Sequence, residues 1–421
     1  MTTTPEPAFS LMGPEFQADP YTTTARLREA GPAVRGTFID GEPCWMFLRD
    51  AEVRTILDDP RFVVNPASVP GGAVPDRRAE GMVAIGIDEE IARPYLAASM
   101  AELDAPGHPR LRKLASRAFT ARRIAELRPR MEKVTQELLD ALPGHAENGV
   151  VDLIEHFAHP LPLTVICDLI GVPEEDRPLW LEWSHAAMWH VRPGAMTLPE
   201  AMRAMVTQIR DLIARRRAEP ADDLIDALIR VQDEDGDRLS DTELVMLLLD
   251  LGVAGHETTS YLIGTGTAAL LTHPDQLALL RSDLSLLPKA IHELMRWCTP
   301  VMLTRPRHAT VDLDLGGVPI AAGERVMAIL IGANRDPRRF PDADRLDITR
   351  TYEFRGEQHV GFSHGPHYCL GAGLAKEEGE IAFGALLRKY PGLTLAVDES
   401  QFTWQQPHPG MRRLAELPVR L

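Results

Sequence analysis

Four cysteines, Cys44, Cys167, Cys298 and Cys369, lie far apart with no Cys-x-x-Cys spacing. That usage fits free thiols in a reducing compartment. Cys369 differs from the other three in its surroundings. It sits in residues 362–371, Phe-Ser-His-Gly-Pro-His-Tyr-Cys-Leu-Gly, just ahead of a helical pattern and among glycines at 361, 365 and 371. A thiolate there gains from unpaired N–H groups and the helix dipole. Glycines let a backbone approach something flat and large. A second chemical cluster is Glu257-Thr258, an acid beside an alcohol. A hydroxyl can hold a proton-donating water, and a nearby carboxylate can relay protons from solvent. The plain alternatives are a buried hydrophobic cysteine, an ordinary buried threonine and a solvated glutamate.

The elements that must hold these groups are mostly helices. Apolar periodicity marks 107–118, 121–142, 152–170, 199–217, 222–230, 241–272, 288–298 and 372–389. The 241–272 segment is the best marked. Ser240 and Glu243 make a capping box, and His273-Pro274 closes the helix. At about 1.5 Å per residue it is a rod of roughly 48 Å, and its apolar middle predicts a central buried helix. Glu257-Thr258 falls mid-way along it. Gly255 and Thr258 together favour a local bulge, because a threonine hydroxyl can capture a backbone carbonyl.

Asp250 interrupts the apolar run and shares a face with Ala254 and Thr258 at spacings of four. A buried carboxylate needs a partner. Candidates are a hydroxyl or amino group of a substrate, or a cation from 180–203 such as His185, His190, Arg192 or Arg203. His108 and Arg112 also share one helical face, and Glu293 and Arg296 form an i, i+3 pair. Strand signals are fewer. A hairpin is expected over 311–320 at Gly316-Gly317, with extended runs at 325–331, 393–397 and 414–420. Residues 64–81 read as a long surface loop of the kind that serves as a lid or binding loop.

These segments resemble the cytochrome P-450 family of haem-thiolate monooxygenases. Phe362, Gly365, His367, Cys369 and Gly371 reproduce its Phe-x-x-Gly-x-His-x-Cys-x-Gly pattern. Residues 254–259, Ala-Gly-His-Glu-Thr-Thr, look like its oxygen-binding sequence. Residues 293–296 match Glu-x-x-Arg, residues 333–337 and 341–345 follow as in bacterial members, and His108 with Arg112 matches His-x-x-x-Arg. The resemblance runs from about residue 16 to 421.

It implies a mainly α protein with a minor β region, the P-450 fold, with one long central helix over the haem. Residues 1–15 are then a flexible tail and 16–421 a single domain. The implied cofactor is heme b (iron protoporphyrin IX), held by the thiolate of Cys369. Sulfur donates electron density that favours O–O cleavage. Phe362 would screen the sulfur, and Gly365 and Gly371 would bring the loop to the porphyrin. Ala254 and Gly255 would lie on the other haem face. His108, Arg112, Arg307 and His367 would meet the propionates. Glu293, Arg296 and Arg345 would form a buried network that supports the haem-binding loop. Glu257 and Thr258 would deliver protons.

The implied activity inserts one oxygen atom of O2 into a bulky, largely apolar small molecule. The look is closest to actinobacterial macrolide and polyketide hydroxylases, by hydroxylation or epoxidation. Oxidative coupling or broad xenobiotic oxidation is the alternative within the family; a haem sensor or carrier without turnover is the alternative outside it, and such a protein needs no proton relay. Substrate contacts are expected from Asp250, Val301, Met302 and Met411, within regions at 83–101, 180–202, the long helix, 300–304 and 409–411. In and beside these regions stand Met82, Met100, Trp180, Trp183, Met188, Trp189, Met302 and Met411, at least half of them expected to be plain core. The other three cysteines are read as structural.

Composition agrees. With 45 basic and 61 acidic residues the chain carries −16, which argues against binding nucleic acid over its whole surface. No apolar run spans a membrane and no signal segment is visible, so a cytoplasmic monomer is expected. No flavin or nicotinamide fingerprint appears. Electrons would come from a ferredoxin and an NAD(P)H-dependent ferredoxin reductase. Residues 108–123 hold a run of Lys and Arg without an acid, a candidate ferredoxin-docking patch with Arg110, Lys113 and Arg117 at its surface.

Overall fold

A computed structural model describes residues 9–38, 40–72, 74–187, 196–234, 239–351, 357–408 and 410–421. Its contacts divide the chain into two compact units, Met1–Asp76 with Lys289–Cys369 and His408–Arg412, and Arg77–Pro288 with Leu370–Pro407 and Arg413–Leu421. The units interleave in sequence, so no shift of composition marks a boundary. None of the described helices is long and apolar enough to cross a membrane.

The first unit holds a six-stranded sheet. Its strand order is Phe9–Ser10, Ala33–Thr37, Pro43–Phe47, Arg325–Ala328, Arg307–Ala309 and Phe62–Val63. The second and third strands are antiparallel with Arg35 opposite Trp45, and the third runs parallel to Arg325–Ala328 with Trp45 opposite Val326. Helix Asp50–Asp58 turns Val53, Ile56 and Leu57 into the core beside Phe47 and Val326. The expected hairpin forms, with Leu313–Leu315 and Val318–Ile320 joined by Gly316 (φ 63°) and Gly317 (φ 84°). Two consecutive positive φ values are what a tight two-residue hairpin turn requires.

The second unit is built on helix Asp241–Thr272, whose capping box from Ser240 and Glu243 is complete. Helices Pro160–Ile170, Glu89–Ala98, Leu198–Ala218 and Ala372–Lys389 lie against it. Close approach is set by glycines on the long helix. A Cβ at Gly252 would come within 2.6 Å of Trp180, and one at Gly255 within 2.7 Å of Ile166. Trp180 and Trp183 are core residues of this unit.

Several expectations need correction. A flexible tail is expected over residues 1–15, but Phe9–Ser10 is a strand and Leu11 is buried. The expected 152–170 helix is a π turn, Ile154–Ala158, followed by helix Pro160–Ile170; Pro160 has no N–H to carry one ladder through. The 325–331 strand stops at Ala328, and Leu330–Asn334 turns helical. The 64–81 loop contains short 3-10 turns and leads into helix Arg78–Ala84.

Candidate active site

The Cys369 thiol lies in the first unit. The Cys369 N–H donates to the Phe362 carbonyl at 2.9 Å, and Tyr368 N–H to Gly365 at 3.0 Å, which fold 362–369 into a compact loop. Phe362 is buried and packs on the rings of His359 at 5.8 Å and Tyr368 at 6.5 Å. His359 in turn accepts Gly361 N–H on Nδ1 at 3.1 Å. Among the four cysteines only Cys369 is exposed. Burial pushes the thiols of Cys44, Cys167 and Cys298 up to about 12, which keeps them neutral.

Gly365 has φ 68°, and a Cβ there would meet Leu57 O and Asp58 Oδ1 at 2.7 Å. Its need for glycine is thus already explained by the end of helix Asp50–Asp58. Gly371 is the N-cap of helix Ala372–Lys389 at an ordinary φ of −83°. His367 ends a 3-10 turn and is half-buried. Arg307 is buried, and its Nη1 donates to Ile56 O at 3.0 Å and Leu57 O at 3.2 Å.

The Glu-x-x-Arg pair is a two-pronged ion pair. Arg296 Nε meets Glu293 Oε2 at 2.7 Å and Nη2 meets Oε1 at 2.8 Å. Arg296 Nη1 also donates to Asn334 O and Ala343 O at 2.8 and 2.7 Å. Arg345, expected as the third member, offers only its backbone carbonyl, at 3.1 Å from Arg296 Nη2, and its side chain is exposed. The second cation is Arg350, whose Nε lies 3.2 and 3.3 Å from the two Glu293 oxygens.

Val301 and Met411 face each other as a β-bridge, and Met302 N–H donates to Gly410 O at 2.7 Å. Met302, expected beside them as a substrate contact, is buried in a core with Leu11 and Phe16. Neighbours on an extended strand point to opposite faces, which separates Met302 from Val301.

Glu257, Thr258 and Asp250 lie in the second unit. Along the buried long helix Ala254 is exposed and Thr258 half-buried. Thr258 Oγ1 donates to Ala254 O at 2.9 Å, as expected of a threonine that captures a carbonyl. The helix nevertheless runs without a break from Asp241 to Thr272, so the expected bulge is absent. Gly255 faces Ile166 of helix Pro160–Ile170. Glu257 is fully buried, with Oε1 at 3.2 Å from His159 Nε2. Asp250 Oδ2 accepts from Ser99 Oγ at 2.8 Å, with Tyr95 and the Met100 N–H as further donors. Burial outweighs these donors and pushes its carboxyl up to about 6.

Of the cations expected near Asp250, Arg203 instead pairs with Asp88 at 3.0 Å. His190 and Arg192 lie outside the described residues, as do Met188, Trp189, residue 409 and the side chain of His185. His108 is buried at the start of helix Gly107–Ala118, with Arg112 half-buried one turn on. Arg110, expected at a docking surface, is ion-paired with Glu243, whereas Lys113 and Arg117 are exposed.

Sequence reasoning missed His159, Ser99, His359 and Arg350. His159-Pro160 before an apolar run was a legible helix start, but nothing local tied it to Glu257.

The chain matches the family described as cytochrome P450 over residues 175–403. It is 42% identical over 421 residues, all of both chains, to 6-deoxyerythronolide B hydroxylase of Saccharopolyspora erythraea. It is 41% identical over 421 residues, 100% of this chain and 95% of the relative, to the cytochrome P450 monooxygenase PikC of Streptomyces venezuelae. Among solved structures, the bacillaene polyketide synthase cytochrome P450 PksS of Bacillus subtilis 168 superposes with a TM-score of 0.86 at 34% identity, over 98% of this chain and 99% of that one. The chain thus belongs to the cytochrome P450 family of haem-thiolate monooxygenases.

Proposed function

We propose that this P450 oxygenates a bulky, largely apolar polyketide or macrolide-type metabolite, by hydroxylation or epoxidation, with heme b held through Cys369. Names of relatives support the substrate class: one acts on 6-deoxyerythronolide B and another is tied to a polyketide synthase. One observation carries the ligand assignment. Cys369 is the exposed thiol, in a tight loop ahead of a helix, and burial keeps the other three protonated. The donor set fits the group: a thiol for the iron, and His108, Arg112, Arg307 and His367 as cationic or polar partners for two propionates.

Thiolate-bound haem supplies the iron at which dioxygen is reduced. The chain supplies protons and order. Thr258 holds a proton-donating water once its hydroxyl leaves Ala254 O, and Glu257 replenishes it. Asp250, one turn beyond Ala254, is the polar anchor for an oxygenated or amino-bearing substrate; Val301 and Met411 offer apolar contacts. Lys113 and Arg117 steer a ferredoxin, which a flavoprotein reductase recharges from NAD(P)H. The enzyme works as a cytoplasmic monomer.

The test is Cys369→Ala. The reduced, carbon monoxide-bound protein should lose its red-shifted thiolate band, while Cys44, Cys167 and Cys298 replaced together by Ala or Ser should keep it. A normal thiolate band in Cys369→Ala refutes the assignment. On the same preparations, Thr258→Ala should divert reducing equivalents to hydrogen peroxide, at a cost of about 10²–10⁴-fold in product formation.

A further inference from the structure

Glu257 lies in a buried nest of imidazoles. His159 Nε2 is 3.2 Å and His256 Nε2 3.4 Å from the same carboxylate oxygen, Oε1. The two rings meet edge to face at 5.0 Å and 75°. His159 heads helix Pro160–Ile170, and the Gly255–Ile166 contact fixes how close that helix comes. Tyr261 and Arg413 are further titratable or charged neighbours among the described residues. Arg413 lies over the Tyr261 ring at 5.9 Å and donates through Nε and Nη2 to Gln405 at 3.1 and 2.7 Å.

We infer that His159 is a positioning residue for Glu257: its neutral ring holds the carboxyl group withdrawn between turnovers without fixing its charge. This rests on Glu257 being the proton-relay acid. Two physical points support it. The first is direction. Successive residues on a helix point about 100° apart, so Glu257 and Thr258 do not share a face. Thr258 and Ala254 reach the open side of the long helix, whereas Glu257 is fully buried with His159. Delivery to Thr258 therefore requires the carboxyl to leave a resting partner, and His159 is that partner.

The second point is charge. A guanidinium beside a carboxylate pulls its pKa down and holds it ionised. An imidazole that stays neutral does not. Burial first, then His256 and to a lesser extent Arg413, push His159 below its ordinary range, against the opposing pull of Glu257. When Glu257 is ionised, Nε2–H donates to Oε1. When Glu257 carries a proton, the other tautomer accepts it at Nε2. Both states of the acid are held, as a group that gains and loses a proton in each cycle needs.

The experiment uses full-length haem-loaded protein with a plant-type ferredoxin and its reductase as surrogate electron donors, and 6-deoxyerythronolide B as the substrate probe. Peroxide yield per NADPH is measured in H2O and D2O. His159→Phe keeps a ring and removes the donor; His159→Gln restores an N–H. His159→Phe should raise the peroxide-to-product ratio about tenfold, the worth of one net hydrogen bond, and change the solvent isotope effect. His159→Gln should recover most of both, and the carbon monoxide band should stay normal in both variants. As a readout apart from turnover, 15N-histidine NMR of the carbon monoxide-bound protein should show a neutral His159 ring at pH 7 whose signals move in Glu257→Gln. Wild-type coupling in His159→Phe, or a charged ring, overturns the inference. Wild-type coupling in Glu257→Gln instead overturns the relay reading together with it.

Discussion

Glu257 and Glu293 are both buried in helices of this protein, and their partners differ in kind. Glu293 is gripped by two guanidinium groups, Arg296 in two-pronged fashion and Arg350 through Nε. Glu257 is met by the rings of His159 and His256. A guanidinium never gives up its proton at working pH, so Glu293 has permanent cations beside it. A neutral imidazole can donate to an ionised carboxyl group or accept from a protonated one, so Glu257 can change state without leaving a stranded charge. The charge of the partner shows whether a buried carboxylate is a strut or a carrier.

The largest effect should come from breaking the strut. Arg296→Met leaves Glu293 buried against Arg350 alone and abandons the carbonyls of Asn334 and Ala343. Removing one member of a buried pair costs about 3–5 kcal/mol. Glu257→Gln, by contrast, keeps an amide that bonds either imidazole, and should cost less than about 1.5 kcal/mol. Denaturant unfolding of the two variants measures both. Equal losses would erase the distinction between strut and carrier.

Asp250 is an intermediate case, a carboxylate met by neutral donors. Its folded pKa of about 6 stands above the ordinary 3.8. The native state therefore binds more protons than the unfolded chain between those values. The contribution to stability is complete below pH about 4 and is lost as pH rises through about 6. Asp250→Asn removes this term. The variant should gain on the wild type by about 1–3 kcal/mol between pH 4 and 7.5. A pH-independent difference would mean that Asp250 is ionised at little cost. Weaker substrate binding in the same variant, with the thiolate spectrum intact, would show its second use as an anchor.

Much of this was legible in the sequence, for physical reasons. The long helix was read to its end residues because its cap and its stop are local signals, Ser240 with Glu243 and Pro274. The turn at Gly316-Gly317 was legible because only glycine suits two positive φ values in succession. Helix Pro20–Ala30 was missed. Its apolar pattern is weak, and it is held by the Asp19 cap and by Arg28 bonding Gly332 O, far off in sequence. The site shows the same divide. Cys369, Glu257 and Thr258 announce themselves through neighbours in the chain. His159 lies 98 positions from Glu257. Its role follows from helix packing, which spacing does not encode.

The smallest predicted effect separates a motif from the atoms that use it. Residues 341–345 suggested that the Arg345 side chain completes the Glu293 network. Only its backbone carbonyl does, through Arg296 Nη2 at 3.1 Å, and any residue supplies a carbonyl. Arg350 carries the charge instead. Besides its contacts with Glu293, its Nη2 donates to Asp342 O at 3.2 Å and to Arg345 O at 2.9 Å. Arg350→Gln should therefore cost about 1–3 kcal/mol, the worth of lost bonds to a charged group. Arg345→Ala, a substitution on an exposed side chain, should stay within about 0.5 kcal/mol of the wild type. The two positions are five residues apart on the same loop, so a general softening of the segment would affect both. If Arg345→Ala proves as costly as Arg350→Gln, a side-chain role for Arg345 is restored, and the strut has three guanidinium groups. If both are silent, Arg296 alone holds Glu293, and the loss in Arg296→Met should then rise to the upper end of its range.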